Sequence, residues 1–291
     1  MSDRAARRAP APDTGLRAKR VLADVFRYAY LSFFAVLCIM PFYWMVLTAL
    51  KTEADAIRVP PEFFPNPIYL QSFVKLSQNK VLLHSIGNSL FICIVSLTGM
   101  LFSSSLSAYA FSKMRFRGSK PVFASLIATM MIPGQVTLIP LYIIFSKIRW
   151  INTFLPLIVP QVMLNGYAVF MLRQFMLGIP SSYSESAQLD GANHFRIYRS
   201  IILPLCKPTL VTLALFNFIG NWNAFMTPMI YLNDVNKFTV ALAINMIKEQ
   251  YTIEWGLMMA ASSITILPIA VLYFCAQKFF VQGIALSGLK G

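Results

Sequence analysis

The chain has 291 residues, of which 57% are hydrophobic and only 12% are charged, and its formal net charge at pH 7 is +14. A soluble protein carries about 25% charged residues, so the surplus apolar surface must face a solvent other than water. The basic residues cluster beside apolar runs and are not interleaved with aromatic residues. This distribution argues against a nucleic-acid partner and indicates contact with membrane lipid.

The N-terminal segment, residues 1–27, is rich in alanine, proline and arginine and is predicted to be a flexible cytoplasmic tail. No linker-like stretch divides the remainder, so residues 28–291 are predicted to form one membrane domain. Six apolar runs in it reach the length of about 20 residues that a membrane-spanning helix needs. They are Tyr28–Leu50, Ser89–Phe111, Pro121–Phe145, Phe154–Leu172, Thr209–Tyr231 and Gly256–Ala276, and none contains Asp, Glu, Lys, Arg or His. The predicted fold is therefore an all-α polytopic membrane protein with six transmembrane helices.

The lysines and arginines are divided unequally between the two sides that six spans would create. Seventeen of the 25 lie in the N-terminal tail, in the connections 112–120 and 173–208, and at the C-terminal end. Cytoplasmic segments of membrane proteins carry the excess of positive charge. Both termini and the connection 173–208 are therefore predicted to be cytoplasmic.

The third span carries Pro133, Gly134 and Pro140, and a proline removes a backbone hydrogen bond, so a kink or break is predicted there. That kink could be the hinge of a gate or a packed structural feature. The first outer connection contains VPPEFFPNP, residues 59–67, which predicts extended or turn structure. The last outer connection, Asn233–Trp255, is half apolar and is predicted to pack on another part of the protein.

The connection between the fourth and fifth spans holds a polar stretch, ESAQLDGANHFRIYRSIILP, which runs from Glu185 to Pro204. Ser182 and Glu185 have the spacing of a capping box, in which the serine caps the helix and the glutamate returns to the cap. This pattern predicts a first short helix over Tyr183–Leu189.

A second short helix is predicted after a turn in the same stretch. Gly191 favours a left-handed stop, because only glycine adopts that conformation cheaply. Asn193 can then cap a helix that runs toward Leu203, with Pro204 and Pro208 before the fifth span. The prediction is a compact helix–turn–helix at the cytoplasmic face, and the alternative is an ordinary interfacial loop with a short amphipathic helix.

This stretch resembles the EAA loop of the permease subunits of ABC importers, whose pattern is Glu-Ala-Ala, three residues, Gly, nine residues and Ile-x-Leu-Pro. The matching positions are Glu185, Ala187, Gly191, Ile201, Leu203 and Pro204, and Ser186 stands where the pattern has alanine. The segments NSLF, AYAFSKMRFRG, MMIPGQVTLIPLY, NWNAFMTPMIYL and FVQGIALSGLKG resemble the same family. It is the shorter permease of carbohydrate importers of the maltose-transporter type, and the resemblance covers the chain from about Tyr28 to Gly291.

The resemblance implies that residues 28–291 are an ABC transmembrane permease domain in the bacterial cytoplasmic (inner) membrane. It implies that Glu185–Pro204, called here the coupling loop, docks on a separate cytoplasmic ATPase. The implied contact residues are Glu185, Ser186, Ala187, Asp190, Gly191, Ala192 and Pro204. The tail residues Ser287, Gly288, Lys290 and Gly291 are implied to run toward the ATPase, the alternative being a frayed end.

The implied function is that of a permease subunit that couples ATP hydrolysis elsewhere to the translocation of a carbohydrate, an oligosaccharide that could be anionic. The implied partners are a second permease, two ATPase subunits and an extracellular or periplasmic solute-binding protein. The chain has no GxxxxGK[ST] loop, so it is expected not to be an enzyme and to bind no cofactor, with ATP and Mg²⁺ held by the ATPase. No catalytic residue and no metal site are predicted, because the cysteines and histidines lie far apart in the sequence.

A path for a sugar needs neutral hydrogen-bonding groups and aromatic faces. The fourth and fifth spans supply such residues, and the candidates are Gln161, Asn165, Asn217, Asn221, Trp222 and Asn223, with Thr227 nearby. On a helix Asn217 and Asn221 share one face. The alternative is that these side chains join helices to one another inside the membrane.

The sequence gives less support to other functions. An ion-coupled secondary transporter, the main alternative, usually carries ionisable residues within its spans, and their absence argues against proton coupling but not against sodium sites built from carbonyl groups. No HExxH, GxSxG or filter-like motif indicates a membrane enzyme or a channel.

Overall fold

The computed structural model describes residues 14–163, 165–250 and 254–288, and within these ranges every regular element is a helix. The helices are α1 Thr14–Ala49, α2 Glu53–Ala56, α3 Gln71–Gln78, α4 Lys80–Lys113, α5 Ser119–Thr129, α6 Gly134–Lys147, α7 Leu155–Met163, α8 Gly166–Leu177, α9 Ser182–Leu189, α10 His194–Ile197, α11 Leu203–Leu205, α12 Lys207–Trp222, α13 Met226–Tyr231, α14 Val240–Gln250 and α15 Trp255–Gly288. The all-α prediction is confirmed.

Four of the described helical segments are long and apolar enough to span a membrane. They are Val21–Ala49, Lys80–Lys113, Leu155–Leu177 and Trp255–Phe279. Two further pairs of helices meet the same test but are bent: α5 with α6 by 98°, and His194–Leu205 with α12 by 74°. If each bent pair is one span the total is six, in agreement with the prediction.

The first helix is longer than the sequence indicated. Residues 14–27 were expected to belong to a flexible tail, but α1 begins at Thr14 and continues without a break into the first span. The physical reason is that no proline or glycine stands between Gly15 and Pro41 to interrupt the helix once it has started. Residues 1–13 lie outside the described residues.

The predicted kink in the third span is a sharp break. Helix α5 ends at Thr129, and α6 starts at Gly134 after Pro133, whose ψ of 132° is extended. Pro133 has no N–H to donate and disfavours the helical conformation of the residue before it, so the helix cannot continue. Pro140 lies inside α6 without ending it.

Helix α4 is the centre of the bundle and packs against α7, α8, α12 and α14. Small residues allow these close approaches. A Cβ at Gly99 would lie only 2.5 Å from Cγ2 of Val162 on α7. Helix α1, by contrast, packs against α15 and leaves most of its apolar side chains exposed, as a helix in contact with lipid does.

The first and the last of the connections that were predicted to be outer have the structure that the sequence indicates. Residues 59–67 contain no helix. In the last connection, the apolar residues Val240, Leu242 and Ala243 of α14 are buried against the bundle. The connection therefore packs on the protein, as predicted. Asn152 fixes the start of this connection, because its side-chain oxygen accepts hydrogen bonds from the backbone N–H groups of Asn233 and Asp234.

Candidate functional site

The coupling loop is a helix–turn–helix, as predicted. Helix α9 ends in a left-handed turn at Gly191, where φ is +79°. The N–H of Gly191 donates to the carbonyl of Gln188 at 3.0 Å, and that of Ala192 donates to Ala187 at 2.9 Å. These two bonds form a Schellman motif, which satisfies the last carbonyls of the helix. Asn193 then caps α10, its side-chain oxygen accepting from the N–H of Arg196 at 2.8 Å.

The predicted capping box at Ser182 is wrong. Helix α9 begins at Ser182, so the capping position falls on Ser181, whose side chain makes no cap hydrogen bond. Ser181 has a helical conformation, with φ −65° and ψ −26°. A capping side chain reaches the N2 or N3 amide from an extended conformation, so Ser181 is not oriented for it. Glu185 therefore lies in the first turn of α9 without a capping partner of the predicted kind.

The second helix of the loop passes through Pro204 instead of stopping before it. The segment His194–Leu205 is continuous and bends away at Cys206. It contains a π-helical turn, Tyr198–Ile202, in which the N–H of Leu203 donates to Tyr198. Pro204 has no N–H for the carbonyl four residues earlier and its ring crowds that carbonyl, so a wider turn accommodates it.

The loop has a buried side and an exposed side. Ile197 and Ile202 are fully buried in the cluster between α4 and α8, and Ala187 and Ala192 pack against the same cluster. Glu185, Ser186, Asp190 and Gly191 are exposed. Pro204 is exposed as well, so five of the seven predicted contact residues face outward, while the two alanines face the bundle.

Sequence reasoning missed the most exposed apolar side chain of the loop. Leu189, in the last turn of α9, is 90% exposed. It stands four residues after Glu185 and therefore on the same face of the helix. An apolar residue at that spacing on an otherwise polar helix is the signal that could have identified it.

A cavity of about 420 Å³, called here the central cavity, lies between α4, α7, α8 and α12. It brings together Gln161, Asn165, Asn217, Asn221 and Thr227, which the sequence analysis singled out. Two aromatic residues that it missed, Tyr167 and Phe216, also line the cavity. Phe216 is next to Asn217 in the sequence, and Tyr167 is two residues after Asn165. The predicted polar residues therefore identify the segments that line the cavity.

Three amides form a hydrogen-bonded cluster in the wall of this cavity. The side-chain oxygen of Gln161 accepts from the amide groups of Asn217 and Asn221, both at 2.9 Å, and the Gln161 amide donates back to Asn221. The cluster joins α7 to α12. Such interhelical bonds average about 0.6 kcal/mol in membranes, so a ligand hydroxyl can replace one at little cost. The two interpretations from the sequence, helix contact and path, are therefore compatible.

Trp222 and Asn223 do not line the central cavity. Trp222 is buried on the opposite side of α12, where its indole N–H donates to the carbonyl of Thr265 at 2.9 Å and its ring stacks on Phe218. Asn223 is the C-cap of α12 and is exposed. Successive residues of a helix point about 100° apart, so Trp222 must face away from the wall that Asn221 occupies.

Asn165 has a structural role at the cavity edge. Its side-chain oxygen accepts from the N–H of Ala168 at 3.0 Å and so caps α8.

In the C-terminal part of the chain, α15 extends through Ser287 to Gly288. Lys290 and Gly291, the remaining residues of the predicted tail contact, lie outside the described residues.

Comparison with known proteins identifies the family of the chain. Residues 99–286 match the family described as "Binding-protein-dependent transport system inner membrane component". The chain belongs to this family. It is therefore a multi-pass transport component of the bacterial inner membrane, and a binding protein is among its partners.

Two relatives match this permease subunit over nearly its whole length. The inner membrane ABC transporter permease protein YcjP of Escherichia coli is 30% identical over 94% of this chain and 99% of its own. The arabinooligosaccharides transport system permease protein AraQ of Halalkalibacterium halodurans is 28% identical over 89% of this chain and 94% of its own.

A solved structure supports the same fold. A chain of a bacterial ABC transporter involved in the import of the acidic polysaccharide alginate has a TM-score of 0.80, with 21% identity. The match covers 94% of the permease described here and 100% of that chain. At this identity the likeness concerns the fold alone.

Proposed function

We propose that this permease subunit belongs to an ATP-driven importer of oligosaccharides, in which its coupling loop docks on a separate ATPase. A second permease subunit completes the membrane part, and two ATPase subunits bind ATP and Mg²⁺. A solute-binding protein outside the membrane delivers the sugar. This chain itself binds no cofactor. Its membership of a binding-protein-dependent transport family argues against the alternative of an ion-coupled secondary transporter.

The coupling loop is the observation that carries this proposal. Its buried side fixes it to the central helix α4, while Glu185, Leu189, Asp190 and Gly191 are exposed beyond the bundle. An exposed leucine beside two carboxylates and a bare glycine backbone offers a partner both apolar area and hydrogen-bonding groups. A loop held rigidly on one side and exposed on the other can transmit a partner's movement to the spans.

The central cavity favours a neutral oligosaccharide as the substrate. Relatives of this chain include permeases named for arabinooligosaccharides, starch degradation products and diacetylchitobiose. The described residues that line the cavity are amides, a hydroxyl and aromatic or apolar groups, with no Lys, Arg or His among them. Amides and aromatic faces suit the hydroxyls and ring faces of a sugar, whereas a carboxylate would need a cation.

The remaining parts of the proposal concern orientation and outer contacts. Both termini and the coupling loop are cytoplasmic, as the distribution of lysine and arginine predicts. The C-terminal residues Ser287, Gly288, Lys290 and Gly291 approach the ATPase pair. The outer connection Asn233–Trp255, which α14 ties to the bundle, contacts the binding protein.

The test is reconstitution of the complete complex in liposomes. We expect the tagged chain to co-purify with an ATPase subunit and a second permease. ATP hydrolysis should rise when a binding protein loaded with arabinotriose, maltotriose or diacetylchitobiose is added. A complex that hydrolyses ATP and imports only acidic oligosaccharides would contradict the neutral substrate, and a chain that purifies without an ATPase would contradict the whole proposal.

A further inference from the structure

A second cavity, of about 250 Å³, lies between α6, α7 and α13, and is called here the distal cavity. Thr137, Phe145, Tyr231 and Thr239 contribute to its wall. Pockets for drug-sized ligands occupy about 300–1,000 Å³, so this cavity has room for one sugar ring and not for a whole oligosaccharide.

The two cavities are stacked along α4. Ile92 lines the distal cavity, Met100 lines the central cavity, and Tyr109 lines the cleft beside the coupling loop. These residues are spaced by roughly 12–14 Å along the helix axis at 1.5 Å per residue. The distal cavity is therefore at the end of the bundle away from the coupling loop, and the central cavity lies between them.

The amide pair Gln161–Asn221 separates the cavities. Both residues line both cavities, as do Ala224 and Thr227. Their side chains hydrogen-bond to each other in both directions, each amide donating to the other's oxygen. Asn217, by contrast, bonds to Gln161 but lines only the central cavity. Sugar hydroxyls can donate and accept as amides do, so a sugar can take over the bonds that hold the pair together.

Thr239, in the wall of the distal cavity, carries an unused polar group. Thr239 is 2% exposed, and its hydroxyl has no hydrogen-bond partner among the described residues. A buried hydroxyl without a partner is costly, so its presence in a cavity wall points to a ligand that supplies the bond. Tyr231 and Phe145, whose rings lie 5.4 Å apart, give the wall aromatic surface, and the described lining carries no charge.

We propose that the distal cavity is a second sugar subsite, which takes one neutral sugar ring and is closed off from the central cavity by the Gln161–Asn221 amide pair. The inference rests on the proposed function, because the ring belongs to the imported oligosaccharide. A ring in the distal cavity packs on the aromatic wall, and the buried Thr239 hydroxyl bonds to it once the side chain rotates toward the cavity. Its hydroxyls then exchange with the amide pair as the ring passes toward the central cavity.

The first experiment removes the unused hydroxyl. Thr239→Val keeps the shape of the side chain, and Ser96→Ala is the matched control, because the Ser96 hydroxyl is also fully buried and has no partner in the described part of the chain, but Ser96 lines neither cavity. The complete complex in liposomes is supplied with saturating binding protein loaded with whichever of arabinotriose, maltotriose and diacetylchitobiose the wild type imports fastest. Thr239→Val should lower the uptake rate roughly three- to tenfold, and Ser96→Ala should not. Equal rates for the two variants would overturn the subsite.

The second experiment opens the barrier. Liposomes that hold the complex and the same sugar, labelled, inside are kept without ATP, and the leak of sugar is measured. Asn221→Ala removes the amide that divides the cavities and should raise the leak, whereas Asn223→Ala removes an exposed amide that lines neither cavity and should leave the leak at the wild-type level. An equal leak for the two variants would overturn the barrier.

The outcomes separate the inference from the proposed function. If the wild-type complex imports none of the three sugars with ATP, the proposed substrate fails and the inference with it. If the wild type imports a sugar and Thr239→Val matches Ser96→Ala, the proposed function stands and the inference alone is wrong.

Discussion

The hydroxyl groups of Ser105 and Tyr198 lie 2.8 Å apart in the buried interface between α4 and the coupling loop. The Tyr198 ring also packs against Tyr109 of α4, with ring centroids 5.4 Å apart. The coupling loop is thus joined by a specific polar contact to the helix that lines both cavities. In the proposed complex, a displacement of the loop by an ATPase would be transmitted to α4 in part through this contact.

Replacing this contact should weaken the link without disrupting the fold. In Tyr198→Phe the Ser105 hydroxyl keeps its bond to the carbonyl of Phe102, so no polar group is left without a partner. We expect a loss of about 1 kcal/mol in unfolding free energy and fewer sugars imported per ATP hydrolysed. Thermal unfolding and the transport-to-hydrolysis ratio measure the two effects. A double variant with Ser105→Ala that equals the sum of the single variants would show that the hydroxyls are not coupled.

Gly191→Asp should prevent capture of the ATPase. A Cβ at Gly191 meets nothing within 4 Å among the described residues, so the internal cost is only the strain of φ +79°, roughly 1–2 kcal/mol. Gly118→Asp is the matched control, because Gly118 has φ +88° and equally open surroundings but lies outside the coupling loop. We expect both variants to insert in the membrane and only Gly191→Asp to lose the ATPase in a pull-down. Normal capture and transport by Gly191→Asp would contradict the coupling role.

Leu189→Ser tests the exposed leucine of the loop. Its 90% exposure means that the substitution costs this chain little stability, whereas burying a leucine in an interface is worth about 1.5–3 kcal/mol. The apparent Kd for the ATPase should therefore rise tenfold or more. Val59→Ser, at 89% exposure in the first outer connection, should leave that Kd unchanged. If the two variants bind the ATPase equally well, Leu189 is not part of the docking surface.

Local chemistry made the turn of the coupling loop predictable from the sequence. Gly191 and Asn193 each have a conformational preference that does not depend on distant residues, and both positions were predicted correctly. The cap at Ser182 was wrong, because Ser182 already lies inside the helix and Ser181 before it has helical backbone angles, which residue type does not reveal.

The directions of side chains within the spans were not predictable in the same way. The sequence lists the polar residues of a helix but does not say which of them face a cavity, because that depends on the neighbouring helices. Trp222 was therefore grouped with Asn221, although it faces α15 and bonds to Thr265 there. The distal cavity was missed because its wall depends on the 98° bend between α5 and α6, which brings Thr137 opposite α13. The sequence indicated a bend at Pro133 but not its angle.

The ion pair between Lys75 of α3 and Glu254, just before α15, gives a pH-dependent contribution to stability. The amino group lies 3.0 Å from the carboxylate, and their hydrogen bond raises the pKa of Lys75 above its usual 10.5. A raised pKa means that the stabilisation is complete below pH 10.5 and is lost as the pH rises through the higher folded value. Both groups are partly exposed, so the pair is worth at most about 1 kcal/mol.

Lys75→Gln should therefore lower the Tm slightly at neutral pH, and the difference from the wild type should shrink in strongly alkaline solution. Thermal unfolding of both proteins across that pH range is the measurement. Arg58→Gln is a control, because Arg58 pairs with Glu62 within the first outer connection, and this ion pair makes no link to α15. A difference in Tm that grows with pH would show that the pair stabilises the protein more in alkaline than in neutral solution, which contradicts this prediction.

Asn152 should control the outer connection that is proposed to meet the binding protein. Its φ is +60°, and its side-chain oxygen accepts from Asn233 and Asp234, while its carbonyl accepts from Lys237 at 2.9 Å. Asn152→Gly keeps the left-handed backbone and removes the side-chain acceptor. Asn152→Ala removes the acceptor and also adds backbone strain of roughly 1–2 kcal/mol. The two variants thus separate the backbone role from the side-chain role.

We expect both Asn152 variants to lower the ATP hydrolysis that the loaded binding protein stimulates, because both release the start of the connection. Basal hydrolysis should be unchanged, since the coupling loop lies at the opposite end of α4. Arg149→Gly is the matched control, because Arg149 also has a positive φ, of 58°, and its side chain does not hold residues 233–234. Stimulation that is normal in Asn152→Gly but lost in Asn152→Ala would mean that backbone geometry alone positions the connection, and normal stimulation in both variants would remove Asn152 from the docking of the binding protein.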